Sequence, residues 1–182
     1  MFCITERELR LIEDINMLWM QHSEWTGMTI GSIVLDTPNQ EVVINRLLKN
    51  PVDFGMLLRK FYGDAIAFGL SDLLIEHLTL AGDLVEALSK QEEKNAEEIR
   101  KKWYENADEI SVFLAAINPY WNYKEWKDMF LTHLTLAEKM AVQLIDEKYA
   151  ESIATYDLFE SEVMMMSKVM YEGILEQFYR VK

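Results

Sequence analysis

One block of this chain matches itself, without a gap, at an interval of 56 residues. The segment His77-Leu78-Thr79-Leu80-Ala81 returns as His133-Leu134-Thr135-Leu136-Ala137. The same interval carries Asn50 onto Asn106, Asp53 onto Glu109, Leu58 onto Leu114, Asp72 onto Asp128 and Leu88 onto Leu144. A match that runs through two apolar stripes and the turn between them points to a duplicated helical hairpin, about residues 45–90 and 101–146. Neither hairpin can bury its stripe alone, so two of them face each other across a shared core.

Helix signals punctuate the rest. Thr5 and Glu8 have capping-box spacing, and Leu11, Ile15, Leu18, His22, Trp25, Thr29 and Ile33 follow a helical period. Thr37, Pro38 and Gln40 read as cap, first-turn proline and capping partner of a second helix, which ends near Tyr62-Gly63. Asp64 suits the cap of a third helix bearing Leu70, Leu74, His77, Ala81, Leu84 and Leu88 on one side. The charge run from Lys90 to Lys102, with Glu97/Lys101 and Glu98/Lys102 at pairing distance, reads as the solvated start of a fourth. Pro119 stops it, Asn122 and Glu125 start a fifth, and a sixth runs from about Ser152 to Phe178. No stretch alternates as a strand does. With three prolines and seven glycines among 182 residues, long helices are unobstructed. The expectation is one all-α domain over residues 1–182, an up-and-down bundle of about six helices, ferritin-like or four-helix-bundle-like in packing.

Composition narrows the functional classes. A net charge of −13 repels phosphate backbones, and no basic patch with interleaved aromatics offsets it, so a nucleic-acid partner is not expected. The single cysteine, Cys3, leaves no disulfide framework and no cysteine-based zinc site within one chain, which suits a reducing cytoplasm. The first residues turn charged at once and lack the apolar core of a signal peptide; no membrane association is expected. Glycine-rich phosphate loops are absent, so no nucleotide cofactor is expected, and no Ser-His-Asp constellation marks a catalytic residue. Homo-oligomerisation and a small-molecule ligand stay open.

Chemistry gathers at the protein's three histidines. The segment around His22 can be laid over that around His77, and the segment Ser161–Ser167 can be laid over it too, with Glu162 at the histidine position. Each of four helices then carries one ligating residue in mid-stripe: His22, His77, His133 and Glu162. Bundle helices sit roughly 8–10 Å apart, close enough for such side chains to surround one ion. Mixed imidazole and carboxylate sets suit iron, zinc or manganese. Asp53 and Glu109, one turn from Asn50 and Asn106, are candidates for bridging or supporting carboxylates. The Glu-x-x-His pairs of di-iron bundles do not occur at His77 or His133. Two readings follow: a metal-binding bundle, with non-haem iron of the ferritin-like or haemerythrin-like kind as one form of it, or a non-enzymatic structural or interaction bundle whose core histidines hydrogen-bond without metal. Whether the protein is an enzyme is open under both. The methionines Met164, Met165, Met166 and Met170 read as core filling, and the five tryptophans as core or turn anchors.

The segments Leu18–Ile30, Arg46–Asp64, Glu76–Ala87, Lys101–Trp121 and Thr132–Val142 resemble a family of short all-helical bacterial proteins of unknown function. Members often carry the name acetylglutamate kinase, although amino-acid kinases are larger α/β proteins with glycine-rich loops. The resemblance covers nearly the whole chain. It implies that His22, Trp25, Arg46, Asn50, Asp53, His77, Trp103, Asn106, Asp108, Glu109 and His133 are recurrent positions. It also implies histidine in place of Glu162 and aspartate in place of Ser167 in other members. A more distant analogy connects the chain with duplicated helical-bundle metalloproteins.

Overall fold

The computed structural model describes residues 4–180; Cys3 lies outside the described residues. Seven helices follow one another with no strand among the described residues: α1 (Glu6–Val34), α2 (Gln40–Leu47), α3 (Asn50–Tyr62), α4 (Asp64–Ser89), α5 (Glu93–Ile117), α6 (Tyr123–Ile145) and α7 (Tyr149–Phe178). The all-α bundle is as expected. The count is one higher because the expected second helix breaks at Leu48–Lys49. Pro51 sits in the first turn of α3, where its missing N–H costs nothing, and the chain re-enters helix around it.

The local signals explain most boundaries. Thr5 and Glu8 form the reciprocal capping box, with Thr5 N–H donating to the Glu8 carboxylate at 2.7 Å. Asn122 caps α6 by accepting from the Glu125 backbone N–H at 3.1 Å. Gly63 closes α3 and opens α4 in one residue at φ +80° and ψ 178°, a conformation only glycine adopts cheaply. Asp64 therefore lies inside α4 and pairs with Arg59 instead of capping. Thr37 does not cap α2 either: Asn39 holds that position, and the Thr37 hydroxyl donates to the Asn39 side chain at 2.7 Å. In the charge run the pairs form one register away from the expected one, Glu97 with Arg100 and Lys101 with Glu105.

Helix α1 packs on α7, α4 and α6, while α4 lies between α3 and α5, and α6 between α5 and α7. The main core collects Ile15, Leu58, Ile110, Trp126, Phe159 and Ile174, all fully buried. Each such side chain contributes about 1.5–3 kcal/mol relative to exposure. A smaller apolar cluster of Ile30, Ile33, Val85, Met140 and Ala141 closes the end of the bundle beyond the histidines. The opposite end is pinned by polar bonds: Tyr62 donates to Gln177, Asn118 donates to Tyr62, and the Trp121 indole donates to the Val169 carbonyl at 3.1 Å. By length and composition α4 is apolar enough to cross a membrane, and it is the one described helix that is.

Candidate metal centre

The stripes of α1, α4 and α6 bring His22, His77 and His133 to one depth in the interior. Each is at least nine-tenths buried. The His22 and His133 rings stack with centroids 5.3 Å apart, and the His77 ring lies 6.2 Å from His133. Facing nitrogens of His22 and His133, both Nε2, stand 3.4 Å apart.

A side chain from a later helix bonds two of the imidazoles, and another stands beside the third. His77 Nδ1 meets Asn106 Oδ1 at 2.9 Å, while the Asn106 amide donates to the Leu73 carbonyl, one turn before His77, at 3.1 Å. The amide orientation settles the tautomer: Oδ1 accepts, so His77 Nδ1 carries the proton and Nε2 keeps its lone pair. Asn50 repeats this arrangement on α1. Its amide donates to the Leu18 carbonyl, one turn before His22, at 2.9 Å, and it lines the same small cavity as the His22 ring. His133 Nδ1 meets Glu162 Oε2 at 3.1 Å.

This pairing corrects the register assigned to α7. Asn106 follows His77 by 29 residues, and Glu162 follows His133 by the same 29. Asn50, Asn106 and Glu162 are thus spaced by 56 residues each, and Glu162 occupies the asparagine position, not the histidine position. The unit of a histidine and a polar residue 28 or 29 positions later occurs three times, on α1/α3, α4/α5 and α6/α7. The signal was present in the numbers, but laying one polar residue over another in a helix without turns to fix the register selected the wrong match.

Two other expected residues are not brought to the cluster. Asp53 is half-buried in a surface groove with Asp14, Gln21 and Lys60, on the outer side of α3. Glu109 is exposed on α5, in a groove with Lys101, Asp108 and Lys127. Three residues along a helix from Asn50 or Asn106 turns the side chain past the edge of the buried face, and neither carboxylate reaches an imidazole. Among the described residues, no three of His, Cys, Asp and Glu already form a ready ligand set.

The electrostatics follow from burial. Desolvation lowers all three imidazoles to about 3, with His133 further depressing His22 and His77, so the rings are neutral. Desolvation raises Glu162 to about 8, which keeps its carboxyl protonated at neutral pH. In that state Glu162 donates to His133 Nδ1, and His133 Nε2–H points at His22 Nε2. With Glu162 ionised the direction reverses, and His133 Nε2 presents a lone pair. Glu162 Oε1 has no hydrogen-bond partner among the described residues.

Comparison of the chain with family models, curated proteins and solved structures gives no match. The functional reading therefore stands on the residues themselves.

Proposed function

We propose that the three-imidazole cluster binds one divalent transition-metal ion, with His22, His77 and His133 as ligands and Asn50, Asn106 and Glu162 as the groups that orient them. The observation that carries this reading is the separation of the His22 and His133 Nε2 atoms, 3.4 Å. Tetrahedral ligands at about 2.0–2.1 Å from zinc stand about 3.3–3.4 Å apart, so these two nitrogens already have ligand spacing. The neutral state of the rings and the Nδ1 contact of His77 also support it, since metal-bound imidazoles need a free lone pair and a held second nitrogen; His133 meets the same need once Glu162 gives up its proton and accepts from Nδ1. His77 completes the set by a side-chain movement toward the pair. Imidazole donors suit zinc or iron better than manganese. Asp53 and Glu109 have no place in this centre. Should the ion keep a position open, it would supply Lewis-acid or oxygen chemistry.

A second reading rests on the same contacts. Glu162, His133 and His22 form a continuous hydrogen-bond chain across three helices, which pairs both His133 nitrogens and Glu162 Oε2 without an ion and fixes the helix register. Elemental analysis of untagged protein purified without chelator separates the two. Metal binding requires near-stoichiometric zinc or iron that His77→Ala and His133→Ala abolish. Metal-free protein that rejects added zinc and cobalt, and whose melting is unchanged by chelator, leaves only the hydrogen-bonded bundle.

A further inference from the structure

A narrow chamber lies one turn beyond the imidazoles, toward the C-terminal end of α1. Its floor is His22, His77 and His133, and its room amounts to about 30 Å³, enough for about two water molecules. The wall residue one turn past each histidine is small: Thr26, Ala81 and Ala137. Gly82 also lines it, and a Cβ added there would meet nothing within 4 Å. The half-buried residues Gly82, Leu88 and Glu138 continue the lining outward, and Arg100 grips Glu138 with three bonds of 2.6–3.1 Å.

Three of the lining residues carry a polar group with no hydrogen-bond partner among the described residues: the Thr26 hydroxyl, the Thr29 hydroxyl and the Trp103 indole N–H. All three side chains are more than nine-tenths buried. Helical threonines usually donate to the carbonyl one turn back, as Thr79, Thr132 and Thr135 do here. Thr26 and Thr29 make no such bond. The other two hairpins carry Ala81 and Ala137, then Leu84 and Met140, at the corresponding places. The unpaired hydroxyls thus stand on α1 alone, and the indole N–H comes from α5. Buried donors left unpaired are costly, so the chamber calls for an acceptor that the described residues do not supply.

We propose that this chamber is a binding site for a small neutral oxygen compound, a short alcohol or carbonyl of two to four heavy atoms, whose oxygen accepts from two of the three donors Thr26, Thr29 and Trp103. The apolar walls Ile30, Ile33, Leu78 and Val85 take its carbon end. Water fills the site otherwise. An anion is disfavoured, because the imidazoles below are neutral and, among the described residues, no cation lines the chamber. The inference is independent of the metal reading, since none of its three donors is a proposed ligand.

Ethanol titrated into chelator-treated protein tests it, with the methyl resonances of Thr26, Ala81 and Ala137 as reporters. The expected result is a saturable shift at those methyls with a dissociation constant of about millimolar, the limit for so few atoms. The isosteric double variant Thr26→Val/Thr29→Val should lose about tenfold or more in affinity while melting no lower than the parent. Acetate should give no saturable shift. Absence of saturation by ethanol, equal binding by the double variant, or tighter binding of acetate would each overturn the proposal. Saturation in protein that never binds metal would uphold this site while removing the metal centre; metal binding without ethanol saturation would do the reverse.

Discussion

Acidification of chelator-treated protein tests the burial of the three imidazoles directly. In the folded state His22, His77 and His133 are depressed to about 3 from 6.5, so below pH 6.5 the unfolded chain binds protons that the folded chain refuses. A depressed imidazole stabilises the fold above its unfolded value and loses that contribution as pH falls from 6.5 toward 3. Each group changes the unfolding free energy by about 1.4 kcal/mol per pH unit, about 4 kcal/mol for three. Glu162 acts in the opposite sense. Its folded value, about 8 against 4.5, means that its contribution is complete below 4.5 and declines as pH rises toward 8. The limiting slope between pH 4.5 and 6.5 is therefore about 3 kcal/mol per unit, softened near 6.5 where the unfolded histidines are half titrated. From pH 6.5 to pH 5 the net loss is about 3 kcal/mol, a sizeable share of an ordinary domain's stability, with a crest near pH 7. Urea unfolding followed by circular dichroism at half-unit pH steps measures this curve. His77→Gln should remove about a third of the histidine contribution to the acid slope. A flat profile between pH 5 and 6.5 would mean that the imidazoles are solvated when charged, and the reasoning about a dry cluster would fail.

Other expectations follow from the same contacts. Glu162→Gln should abolish the alkaline decline, about 1 kcal/mol between pH 7 and 8.5 in the parent, as read from the same denaturation series. Asn106→Ala removes the bonds to His77 Nδ1 and the Leu73 carbonyl together, and should cost about 2–4 kcal/mol, measured by thermal melting. If zinc binds, the same variant should weaken it about 10–100-fold by competition with a chromogenic chelator. Gly173→Ala would place a Cβ 2.0 Å from the Trp121 indole nitrogen, which bonds Val169; the loss should be about 1–3 kcal/mol or more in equilibrium unfolding.

The caps and stripes made the bundle legible because they are local. Thr5 with Glu8, Asn122 with Glu125 and Pro119 act within one turn of themselves, and the structure uses each as its residue type suggests. The break before Asn50 was harder to see. Its only sequence mark, Pro51, fits equally a continuous helix beginning earlier and a new one beginning there. The convergence of the histidines was legible from their central place on three stripes. Their partners were not, because a partner lies on another helix and no periodicity within α3 or α5 distinguishes Asn50 from Asp53 as the residue that turns inward. Asp53 and Glu109 were chosen for charge, and charge is what keeps them at the surface. The asparagines, which can be buried neutral and offer both an acceptor to a ring and a donor to a carbonyl, do the orienting. Thr26 and Thr29 carried a signal only against the other two hairpins, where alanine and larger apolar residues stand at their places.

The central claim is that three neutral imidazoles on repeated hairpins converge on a single ion. X-ray absorption at the zinc edge, on chelator-treated protein reconstituted with one equivalent of zinc, tests it most directly. The account predicts a first shell containing three imidazole nitrogens at about 2.0–2.1 Å, reduced to two in His77→Ala. A spectrum of hydrated zinc, or one unchanged by loss of His77, would contradict it.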